Sequence, residues 1–110
     1  MNIHISSISK LKKTNITISG SKSETNRLLL LQALFPEISI ENISDSDDSV
    51  LMQKALKSSE TIIDIHHSGT AMRFLTAYFS IQKNREIILT GSSLMKERPI
   101  GILVEALKSL

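Results

Sequence analysis

The stretch GSKSETNR, residues 20–27, forces a change of backbone that the rest of the chain must accommodate. Residues 15–19 form a β-type run that ends at Gly20, and from Ser23 onward the pattern is helical. Glycine permits the tight turn between them. Ser21, with Glu24 three residues later, fits a capping box at a helix start. A helix N-terminus exposes unpaired N–H groups and partial positive charge, which suits an anion. Lys22 stands at that end, and Ser23 and Arg27 are spaced i, i+4 on one face. The pattern therefore fits either a small anion-binding turn or a simple capped helix with solvated basic residues. It is not a P-loop, because the second glycine of GxxxxGK[ST] is missing.

Alternating short β-type and helical runs continue to the end. Residues 2–8 and 14–19 read as strands, joined by a basic turn at Lys10, Lys12 and Lys13. The helix from Ser23 to about Phe35 carries Leu28, Leu29, Leu30, Leu31 and Leu34, an apolar surface broad enough for burial on more than one side. Pro36 stops it. Residues 37–43 alternate as a third strand, and a helix follows the acidic run at 45–48, where Asp45 or Ser46 can cap. Asp47 and Asp48 suit the positive helix end, a simpler role than metal binding. Residues 61–65 form another strand. His66 and His67 follow as neighbours whose side chains diverge too far to share a metal.

SGTAMR, residues 68–73, repeats the logic of the opening stretch. A strand ends, Gly69 allows close backbone approach, Thr70 can cap, and Arg73 lies in the first turn of a helix reaching about Ile81. Residues 86–90 form a strand closed by Gly91. A last helix begins at Pro99, directly after Arg98, and runs to Leu110. Three strand-to-helix junctions each carrying a basic residue suggest a ligand with several negative charges. Strands alternating with helices indicate an α/β (α+β) fold within one domain.

Composition narrows the function classes. A net charge of +2 is too small to argue for nucleic acid or an acidic membrane surface. The absence of cysteine excludes disulfides, thiolate catalysis and cysteine-ligated metals. No run is long enough to span a membrane, and no secretory h-region is present, so a cytoplasmic protein is expected.

GSKSETNR, DSDD, SGTAMRFL and LTGSSLMKERPIGILVEAL, in that order, resemble the N-terminal part of the 5-enolpyruvylshikimate 3-phosphate synthase family. The resemblance implies transfer of the carboxyvinyl group of phosphoenolpyruvate to the 5-hydroxyl of shikimate 3-phosphate, in aromatic amino acid biosynthesis. It implies no metal and no organic cofactor. The implied fold has two domains, each of three βαβαββ units, that close over the substrates. By position, Lys22 matches a lysine at the interface of both substrates, and Ser23 and Arg27 match shikimate 3-phosphate contacts. Gly69 matches the glycine abutting phosphoenolpyruvate, and Arg98 an arginine that pairs with it. Thr70 and Arg73 line the same turn.

Departures accompany the match. His67 stands where the family commonly has asparagine, Phe74 where it often has proline, and the segment before Gly69 is short by about a hairpin. The family's chains are several times longer. Residues 1–110 are therefore expected to form a single partial domain, part of a βαβαββ-type unit, with the catalytic residues beyond Leu110. Such a piece is expected to be inactive alone and to self-associate through unpaired strand edges. The alternative is a small non-catalytic module that binds phosphate esters or RNA ends.

Overall fold

The computed structural model describes residues 1–7, 10 and 13–110. Ile8 and Lys12, which belong to the expected first strand and basic turn, lie outside the described residues. Five helices and two strands follow in the order α1 (Lys22–Leu34), α2 (Asp47–Lys57), β1 (Ile62–Asp64), α3 (Gly69–Ser80), β2 (Ile88–Thr90), α4 (Ser93–Lys96) and α5 (Gly101–Lys108) among those residues. β1 and β2 pair in parallel, with Ile63 opposite Leu89, and α3 is the crossover between them. Parallel neighbours require such a crossover, so the helical run at residues 69–80 and the sheet imply one another. The result is a mixed arrangement of helices with a small parallel sheet, of the α/β class.

The core forms where α1, α2 and α3 meet the inner face of the strands. Leu29, Met52, Ala55, Ile63, Ile65, Ala71, Leu75 and Phe79 are buried together there. α3 supplies Ala71, Leu75 and Phe79 at four-residue intervals, which puts one continuous stripe on the sheet. α1 is buried on a narrower front than its leucines suggest. Leu29 is buried, whereas Leu31, Leu34 and Phe35 stay exposed. Its inward face is instead partly polar, through Thr25 and Asn26.

Three expected strands are absent. Residues 2–7 and 14–19 carry no ladder, and Ile3, Ile5, Ile16 and Ile18 remain largely exposed. Residues 37–43 are irregular as well. Alternation shows which side chains could share a face, but a strand also needs a neighbour for its N–H and C=O groups. Residues 38–44 find other partners. The Gln32 amide donates to the Ile38 carbonyl at 2.7 Å, and the Ser44 N–H donates to Thr25 Oγ1 at 3.0 Å. Between them Asn42 turns into the left-handed region at φ 51°, which ends any extended run.

Two helix starts also move. Ser68, not Thr70, caps α3 by accepting from the Ala71 N–H at 3.3 Å. The last helix begins at Gly101, two residues beyond Pro99, because residues 93–96 form the separate turn α4, capped by Ser92.

Candidate functional site

The parallel strands end side by side, and the turns that leave them are tied together. The Ser92 N–H donates to the His66 carbonyl at 2.8 Å. His66 itself is left-handed at φ 49°, and its N–H is held by Asp64 Oδ1 at 2.7 Å. In parallel α/β sheets, this carboxyl end of the strands is where ligands bind. His66 and His67 thus lie in a turn, and among the described residues no group of three or more His, Cys, Asp or Glu side chains could hold a metal.

Gly69 opens α3 at this point, buried and without a positive φ. Its lack of a side chain serves close approach. A Cβ there would lie 2.6 Å from Arg98 Nη1 and 3.4 Å from Arg73 Nη1. Two guanidiniums therefore converge over one glycine. Arg73 is already engaged, donating through Nη1 to the Gly69 carbonyl and through Nη2 to the Pro99 carbonyl, each at 3.1 Å. Arg98 has no hydrogen bond from its guanidinium and no ion pair among the described residues. The N–H groups of Gly69 and Thr70 likewise find no acceptor among them. Adjacent cations and open helix N–H groups, with no carboxylate among the described residues within ion-pair distance, form a surface that an anion would stabilise.

The start of α1 is built differently. Gly20 precedes it, and a Cβ there would collide with the backbone carbonyl of Asn42. Ser21 caps the helix, accepting from the Glu24 N–H at 3.4 Å. Lys22 Nζ is paired with Asp48 Oδ2 at 3.1 Å. Beneath this pair lies a buried polar chain. Ser44 Oγ donates to Ser46 Oγ, Ser46 Oγ to Ser49 Oγ, and Ser49 Oγ to Asn26 Oδ1 at 2.9 Å. The Asn26 Nδ2 group is fully buried without a partner. On the opposite, exposed face, Arg27 Nη1 donates to the Ser23 carbonyl at 2.8 Å.

Lys22, Ser23 and Arg27 are thus gathered on the first two turns of α1, and Gly69 and Arg98 are in contact with one another. Arg27 also reaches α3, its guanidinium carbon lying 5.8 Å from the Phe74 ring centroid. In the sequence Asp48 reads only as a helix-dipole residue, Ser68 carries no role of its own, and Arg73 only lines the turn. Only an acidic residue in one first turn and a serine before one glycine signalled the first two. A groove of about 730 Å³ lies between α3, β2 and α5, lined by Met72, Phe79, Leu89, Met95 and Val104. Of the expected substrate residues only Arg98 reaches it.

Comparison with known proteins adds an independent line. The family model described as EPSP synthase (3-phosphoshikimate 1-carboxyvinyltransferase) matches residues 53–110. A 3-phosphoshikimate 1-carboxyvinyltransferase of Bacteroides fragilis is 46% identical over 107 residues, covering 96% of this chain and 26% of the relative. The protein of that name from Hamiltonella defensa is 34% identical over 133 residues, covering 96% of this chain and 31% of its own length. A pentafunctional AROM polypeptide of Pneumocystis carinii is 34% identical over 129 residues, covering 89% of this chain and 8% of its own. The chain thus spans 26% to 31% of the length of the two single-function relatives.

Proposed function

We propose, for a chain that belongs to the EPSP synthase (3-phosphoshikimate 1-carboxyvinyltransferase) family, that it carries part of the substrate site of that transferase. The reaction moves the carboxyvinyl group of phosphoenolpyruvate to the 5-hydroxyl of shikimate 3-phosphate and releases inorganic phosphate. Gly69 and Arg98 receive phosphoenolpyruvate, Ser23 and Arg27 receive shikimate 3-phosphate, and Lys22 stands between them. The observation that carries this reading is the pair of guanidiniums over Gly69 with no carboxylate beside them. Planar guanidinium forks match the oxygens of a phosphate or carboxylate, and the open N–H groups of α3 add to the field.

Residues 1–110 form a single partial domain, and β1, α3 and β2 are part of a βαβαββ-type unit of the enolpyruvyl transferase fold. Groups that transfer protons in the reaction come from residues outside this chain, in a cytoplasmic enzyme. No helix among the described residues is long and apolar enough to cross a membrane. The exposed Ile62, Ile88 and Ile102 support packing against further surface. The isolated chain self-associates through these surfaces, a property that sedimentation across a concentration series will test.

The deciding experiment titrates phosphoenolpyruvate and shikimate 3-phosphate into the chain and measures phosphate release in parallel. Weak binding without turnover is expected. Phosphate release that depends on both substrates would overturn the partial-site reading, which puts the proton-transferring groups outside this chain. Absence of any binding to either anion would remove the site assignment.

A further inference from the structure

We infer that Arg73 is a positioning residue, a strap that holds Arg98 over Gly69 and leaves it unpaired. The inference rests on the reading of Arg98 as an anion contact and concerns how that contact is kept in place. Arg73 and Arg98 are chemically alike and meet at the same glycine, yet only one is engaged. Arg73 reaches back within its own helix to the Gly69 carbonyl and across to the Pro99 carbonyl, 26 residues away in sequence. Pro99 directly follows Arg98, so this second bond pins the backbone that carries the free guanidinium.

Little else holds that segment. Between α4 and α5 the Arg98 N–H donates to the Met95 carbonyl at 3.1 Å, and Met95 is buried. α5, on the other side, packs on α3 but only through half-buried residues such as Leu103 and Val104, none of them fully buried. Among the described residues the Arg73 bond is therefore the side-chain hydrogen bond that ties α3 to the backbone next to Arg98. A guanidinium is suited to it because two N–H groups in one plane serve two carbonyls at once, which an ammonium on a flexible stem does poorly. Bonds from a charged donor are also the stronger ones. Placing a second cation beside Arg98 raises the positive potential there without offering Arg98 a partner.

Arg73→Gln and Arg73→Lys test this in the 110-residue chain. The readouts are the arginine Nε–H resonances, the backbone amides of residues 97–101, and the affinity for phosphoenolpyruvate. In Arg73→Gln, the Arg98 Nε–H and the amides around Ile100 should shift and broaden, while those of α1 and α2 stay in place. Phosphoenolpyruvate affinity should fall about tenfold, in keeping with loss of charge-assisted contacts. Arg73→Lys keeps the charge but not the fork. It should show the same changes at Arg98 to a smaller degree, and it serves if Arg73→Gln does not fold. Unchanged Arg98 and loop signals in both variants would overturn the inference. So would phosphoenolpyruvate perturbing the Arg73 guanidinium in the wild type more than that of Arg98, since Arg73 would then be a contact itself. If the wild type binds no phosphoenolpyruvate while Arg98 still loses its order in the variants, the strap stands and the substrate assignment fails.

Discussion

The starts of α1 and α3 obey the same local rules and end in opposite electrostatic states. Each is capped by a serine, preceded or opened by a glycine, and furnished with basic side chains in its first turns. At α1 the first cation, Lys22, is paired with Asp48 of the neighbouring helix. At α3 the guanidiniums of Arg73 and Arg98 both reach Gly69, and no carboxylate among the described residues pairs with either. The difference comes from the neighbour. α1 packs on the acidic start of α2, whereas α3 faces the loop that brings Arg98. A helix start is left open to an anion to the extent that its cations find no carboxylate among the described residues, as with Arg98 at α3 and Arg27 at α1, whereas Lys22 must give up Asp48.

The two glycines sharpen the contrast most. A methyl at Gly20 meets a backbone carbonyl, that of Asn42, which cannot move without dragging the segment tied to α1. Gly20→Ala should cost about 2–3 kcal/mol of stability by overpacking. A methyl at Gly69 meets the tip of Arg98. Since Gly69 is helical without a positive φ, alanine there should change stability by less than about 1 kcal/mol. It should weaken phosphoenolpyruvate binding and spare shikimate 3-phosphate. Chemical denaturation of both variants checks the first pair of outcomes. In the longer enzyme, kinetics with each substrate varied checks the second. Equal loss of stability in the two variants would erase the distinction.

Next in size are the cations themselves. Arg98→Gln should cost about 1.5–3 kcal/mol in phosphoenolpyruvate binding, and Arg27→Ala a similar amount in shikimate 3-phosphate binding. Lys22→Met should weaken both. Calorimetric titration of each substrate separates the three, and an Arg27→Ala variant that binds shikimate 3-phosphate as the wild type does would remove Arg27 from the site.

The caps should differ more modestly. Ser68 is buried and Ser21 is exposed, with the Ser21 bond stretched to 3.4 Å. Ser68→Ala should therefore cost about 1–2 kcal/mol and Ser21→Ala about 0.5 kcal/mol. Thermal melts that rank the two in reverse would mean the α1 cap is the stronger one. The smallest effect belongs to Asp48→Asn. Its partner Lys22 is 53% exposed, so the ion pair should contribute less than about 1 kcal/mol to stability. Freed of Asp48, Lys22 should bind anions more tightly, which the same titrations would reveal.

By itself the sequence determined the elements whose stabilising contacts are local or periodic. The helix after Gly20 begins where Ser21 and Glu24 imply, α3 runs to the residue before Ile81, and β1 and β2 fall within the expected runs. These are decided by caps, by apolar spacing and by the turn residues between them. The family match likewise rests on residues adjacent in sequence, such as GSKSETNR and SGTAMR. Tertiary structure alone decided the rest, because the partners are remote. Residues 37–43 form no strand in a setting where Gln32 takes the Ile38 carbonyl and Thr25 the N–H of the neighbouring Ser44. Whether Lys22 was free depended on Asp48, 26 positions away, and the course of the Arg98 loop depended on Arg73, 25 positions before it. A hydrogen bond or ion pair between such residues leaves no period in the sequence. It exists only once packing has brought both ends within about 3 Å.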